Sequence, residues 1–122
     1  MAFLSIIRGG VDSHQDVLRR VIAGWIQANQ FLVTRTPEAL QILHDNYYKD
    51  VPLSALHEMY KDEKAFTAAG WVPLYENGTV TKWLNQVTEF FARTGGIANP
   101  VMAETYFDPN LFLEVAKKGA AK

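Results

Sequence analysis

Two stretches of this chain repeat their apolar residues at the spacing of one helical face, and they constrain the fold more than any other feature. In the first, Val17, Leu18, Val21, Ile22, Trp25, Ile26, Ala28 and Leu32 recur at intervals of three and four, with Arg19, Arg20, Gln27 and Gln30 on the other side. In the second, Val80, Trp83, Leu84, Val87, Phe90 and Phe91 do the same. An apolar stripe of this period must be buried against something. The chain therefore reads as mainly α-helical, with about six helices in one domain over residues 1–122.

Local signals place the helix ends. Ser13, with Asp16 three residues on, predicts the cap of a first helix that runs to about Val33. Thr36-Pro37-Glu38 supplies a cap, a proline for the first turn and an acid for a second helix carrying Leu40, Leu43 and Tyr47. Asp50-Val51-Pro52 ends it. A short third helix holds Leu53, Leu56, Met59 and Tyr60, and Asp62 is expected to cap a brief fourth that stops at Gly70.

Trp71-Val72-Pro73-Leu74-Tyr75 reads as irregular, and Asn77-Gly78 as a turn. Thr79 is expected to cap the next helix and Thr94-Gly95-Gly96 to close it. Asn99-Pro100 opens a turn or short helix. Asp108-Pro109 starts a final helix with Leu111, Phe112 and Val115, whose end suits Lys117 and Lys118. Residues 119–122 read as a frayed tail.

The N-terminus differs from the rest. Phe3, Leu4, Ile6 and Ile7 form a short apolar run with β-branched residues, broken by Arg8-Gly9-Gly10. Residues 1–10 therefore read as a strand-like arm. A strand with no partner elsewhere in the sequence needs one from outside, and a second copy of the chain is the simplest source. Phe3, Leu4, Ile6 and Ile7 are accordingly the candidate self-association residues, in a homo-oligomer.

Composition narrows the function classes. Hydrophobic residues at 48% and charged residues at 20% are ordinary globular values and argue against disorder. Twelve basic and thirteen acidic residues, spread along the chain, do not make the clustered positive surface that nucleic acid or an anionic membrane needs. The absence of cysteine excludes disulfides, thiolate metal sites and thiol nucleophiles. No apolar run approaches the ~18 residues of a membrane span. The N-terminus lacks the basic region and cleavage site of a signal peptide, so the chain as written is expected in the cytoplasm; the alternative is a piece cut from a longer secreted precursor.

Catalytic patterns are missing. His14, His44 and His57 match no metal-ligand spacing, and the adjacent His44 and Asp45 are expected to point apart on a helix. Glu58, Asp62 and Glu63 alternate with Lys61 and Lys64, as on a solvated face. Neither glycine pair matches a phosphate loop. No metal, no cofactor and no enzymatic activity are expected. Trp25 and Trp83 fall in helical stripes and read as core. Trp71 and Tyr75 lie between helices, where they either pack or line a ligand pocket, and they are the candidate ligand-binding residues.

The order of these features resembles a known family. Val17 to Ala28, then Thr36-Pro37-Glu38-Ala39-Leu40-Gln41-Ile42-Leu43 with Tyr47-Tyr48, then Gly70-Trp71, Asn77-Gly78, Phe90-Phe91 and Tyr106-Phe107-Asp108-Pro109-Asn110-Leu111, are similar to the C-terminal helical region of ABC-transporter substrate-binding proteins of the nitrate/sulfonate/taurine type, the group that includes thiamine-precursor binders. The resemblance spans nearly all of this chain but only the closing part of a family member. It implies the C-terminal part of a type II periplasmic-binding-protein fold, a periplasmic or secreted setting, a small-molecule ligand and a membrane permease as partner. It also implies a fragment or truncated relative without a complete ligand cleft, since the cleft lies between two lobes. The alternative is a stand-alone helical self-association module with no transport role.

Overall fold

The computed structural model describes residues 13–63 and 65–120. The predicted strand-like arm, with Phe3, Leu4, Ile6 and Ile7, lies outside the described residues. Among the described residues there are seven helices and no strand, so the mainly helical class holds. They are α1 (Gln15–Thr34), α2 (Thr36–Tyr47), α3 (Leu53–Lys61), α4 (Ala68–Glu76), α5 (Thr79–Arg93), α6 (Ala103–Tyr106) and α7 (Asn110–Ala120). They fall into two compact units that divide between Ala68 and Ala69.

The first unit packs α2 against both α1 and α3. Its small core is Ile22 from α1 with Ala39 and Leu40 from α2. One residue, Arg35, joins α1 to α2: its N–H donates to Phe31 O (2.8 Å) and its carbonyl accepts from Ala39 (2.9 Å). The predicted caps shift here. His14, not Ser13, is the N-cap of α1, and the His14 side chain makes no capping bond. Thr36 does not cap α2, because its hydroxyl donates back to Leu32 O (2.8 Å) at the end of α1. Pro37 does occupy the first turn. Asp62 closes α3 rather than opening another helix, its N–H donating to Met59 O (3.3 Å). Beyond it, the Asn29 side-chain amide donates to Phe66 O and ties this segment to α1.

The second unit contains α4 to α7. The expectation of irregular chain at Trp71–Tyr75 is corrected: those residues form the body of α4, despite Pro73 inside it. Proline there removes one ladder bond, and its ring crowds the carbonyl one turn back, at a cost of ~3 kcal/mol. The helical spacing of four brings Trp71 and Tyr75 onto one face. There the Tyr75 ring stacks on Phe112 at 4.4 Å, meets Phe107 at 6.0 Å and takes the edge of Trp71 at 6.1 Å. Each such pair contributes ~0.5–1.5 kcal/mol beyond its area, and burying a large apolar side chain adds ~1.5–3 kcal/mol. Together they outweigh the proline. An ion pair between Lys117 of α7 and Glu76 of α4 lies beside this cluster.

Helix α5 has well-defined ends. Gly78 sits at φ +79°, and the Asn77 side chain accepts from the Thr79 N–H (3.0 Å), so Asn77 supplies the capping oxygen that Thr79 was expected to give. At the other end Gly95 is left-handed (φ +78°), Gly96 N–H donates to Phe91 O (2.8 Å) and Gly95 N–H to Ala92 O (3.3 Å). This paired closure is the Schellman arrangement, and it bears out the predicted stop. Asp108 accepts from the Asn110 N–H (2.9 Å) and opens α7 as expected. Helix α7 runs through Gly119 to Ala120, into the segment read as a frayed tail.

Two substitutions test this packing. Trp71→Ala is expected to destabilise the second unit by about 3–5 kcal/mol, the usual range for emptying a buried aromatic site. Gly95→Ala is expected to cost about 1 kcal/mol or more, because a Cβ is disfavoured at φ +78°. Both are read from urea unfolding followed by far-ultraviolet circular dichroism.

Candidate functional site

Among the described helices the strongest amphipathic pattern belongs to α5, and it does not match what α5 buries. Its apolar residues Val80, Trp83, Leu84, Val87, Phe90 and Phe91 centre on one direction. The side it turns inward carries Val80, Leu84, Thr88 and Asn85, with Val80 fully buried and Thr88 buried. The two directions differ by roughly a quarter of a turn. In consequence Val87 is 49% exposed, Phe90 50% and Phe91 46%, while a threonine sits in the core. Thr88 satisfies itself by donating to Leu84 O (3.1 Å), which lowers the cost of burying its hydroxyl.

Asn85 holds α5 in this rotation. Its side-chain carbonyl accepts from the Ala103 N–H (2.7 Å), and its amide donates to both Glu104 carboxylate oxygens (3.0 and 3.1 Å). Ala103 is completely buried, so the short helix α6 lies close against α5. The Glu104 carboxyl is held below its ordinary value of 4.5, first by its own backbone N–H and then by Asn85. Between the two helices runs an open groove of about 540 Å³, lined by Lys82, Asn85, Gln86, Glu89, Met102 and Glu104 among others.

The exposed stripe ends in an ordered aromatic pair. Phe90 and Phe91 meet edge to face at 5.4 Å, and the Arg93 guanidinium lies 6.0 Å over the Phe90 ring. Phe91 also abuts the helix stop, so close that a Cβ on Gly96 would lie 3.1 Å from its ring.

The structure places the residues singled out in the sequence as follows. Trp71 and Tyr75 come together in the aromatic cluster of α4, Trp71 buried and Tyr75 half-buried, and neither lines the groove. Burial pushes the Tyr75 hydroxyl above its ordinary value. His44 and Asp45 do not point apart: His44 Nδ1 lies 2.8 Å from Asp45 Oδ1 in the last turn of α2. Gln41, one turn back, donates to the same oxygen (2.8 Å), and these contacts, His44 first, hold the Asp45 carboxyl below its ordinary value. The Asp45 side chain is short and the Gln41 amide reaches it from one turn back, which draws the carboxylate into the space beside the imidazole. The group is exposed, and its charges are screened by water.

His14 contacts the Ser13 hydroxyl (2.6 Å) in the open, and Glu58 pairs with Lys61 (2.6 Å) on the solvated face expected for it. Among the described residues no group of three or more His, Cys, Asp or Glu is arranged to hold a metal, and no helix is long and apolar enough to cross a membrane.

Asn85→Ala tests the clamp. The Glu104 carboxyl, followed by NMR titration, is expected to titrate closer to 4.5 in the variant, staying below it because the backbone N–H remains. A carboxyl lowered in the folded state stabilises above its unfolded value, and that contribution is lost as pH falls through its folded value. In the parent chain the Asn85–Glu104 bonds across the α5–α6 seam therefore weaken in acid below pH 4.5, and the variant, which has no Asn85 to couple Glu104 to α5, loses this pH dependence of the seam.

No family model, no curated protein and no solved structure matches this chain.

Proposed function

We propose that this chain is a helical interaction module that works by binding, not by catalysis, and that it self-associates through apolar surface its own fold leaves in water. The observation that carries this reading is the stripe of α5. Val87, Phe90 and Phe91 are each about half exposed on one helix whose ends are well fixed. Scattered exposed apolar residues are ordinary on any surface, but a contiguous apolar face on the most amphipathic helix marks a place where another surface belongs. Each is already about half buried, so covering it contributes roughly half of the ~1.5–3 kcal/mol of full burial, and a two-fold contact counts each residue twice. The formal net charge of -1 opposes self-association only weakly.

The same uncovered stripe fits the second reading, a fragment or truncated relative of an ABC-transporter substrate-binding protein for a small nutrient. In that family the corresponding helices pack on a sheet, and a piece without its sheet leaves apolar faces in water. Under this reading the chain alone has no complete ligand cleft, and its missing cover is the rest of a larger fold, with the permease as the eventual partner of that larger protein.

Solution mass separates the two. Light scattering across a concentration series is expected to rise to a plateau at twice the chain mass for a self-association module. A mass that climbs without a plateau favours the fragment, and a clean monomer at all concentrations overturns the module. Val87→Ser with Phe90→Ser is expected to weaken the dimer at least about tenfold, the equivalent of ~1.4 kcal/mol. Circular dichroism should be nearly unchanged, because neither side chain is buried in the unit.

A further inference from the structure

We draw no further inference here: the strongest candidate, the open groove between α5 and α6, carries nothing because its Asn85 and Glu104 belong to the joint already described and nothing in the structure marks what would occupy it.

Discussion

Asn85 decides which way helix α5 faces. An asparagine side chain offers one acceptor and one donor group, and here both are spent on a helix of four residues that lies eighteen and nineteen positions further along the chain. A helix cannot turn about its axis without breaking such bonds, so the clamp fixes the side of α5 presented to its own unit. Ala103 is the complementary choice on α6: a methyl group, fully buried, lets the two backbones approach closely enough for the Asn85 carbonyl to reach an N–H. The inward side is then partly polar, and it tolerates Thr88 because that hydroxyl bonds within the helix. Val80 is buried and Trp83 and Leu84 are half-buried, but the later part of the apolar stripe, Val87, Phe90 and Phe91, is left exposed.

The size of the units makes a leftover of this kind unavoidable. A unit of roughly 60 residues buries only about 60% of the surface its unfolded chain exposes. In the first unit the long stripe of α1 shows the consequence: Ile22 is buried, while Val17 and Val21 remain about half exposed on the same helix. The core that α1 shares with α2 is small because Ala39 supplies close approach rather than bulk. In the second unit bulk comes from rings instead. Trp71, Tyr75, Phe107 and Phe112 gather where α4 and α7 meet, and the Glu76–Lys117 pair lies on the same two helices. Each unit thus solves its packing with a few residues, and the remaining apolar surface is what the proposed function uses.

The helices were legible in the sequence where one physical signal dominated. Apolar periodicity marked α1 and α5, proline after a cap-like residue marked α2, and Asp108-Pro109 marked α7. Caps were read less well, because a serine or threonine next to a helix end has several carbonyls and amides within reach. Thr36 chose the carbonyl of Leu32 behind it, and Asn77 accepts from the backbone amide of Thr79 itself. Helix α4 was hidden by Pro73, a strong local signal overridden by ring packing that only the folded chain assembles. The Asn85 clamp left no trace at all, since no local pattern links an asparagine to an alanine eighteen residues later. The stripe of α5 was visible as apolar residues, but periodicity says only that a face exists. Whether the unit itself covers that face depends on the clamp.

An exposed aromatic pair is useful for binding only if it is already held in place. Free side chains lose conformational entropy on association, ~0.5–1.5 kcal/mol for each one immobilised, and that loss offsets the area they bury. Phe90 and Phe91 avoid much of it. They brace one another edge to face, the Arg93 guanidinium lies over one ring, and the glycine stop packs against the other. The Thr94 hydroxyl donates to Phe90 O (3.0 Å) and firms the last turn beneath them. Two-torsion aromatic side chains on a closed helix end present their surface with little left to order. The features that terminate α5 and the features that suit it to contact another surface are therefore the same residues. A substitution at Gly95 or Gly96 should then disturb association as well as stability, even though neither glycine has a side chain to offer a partner.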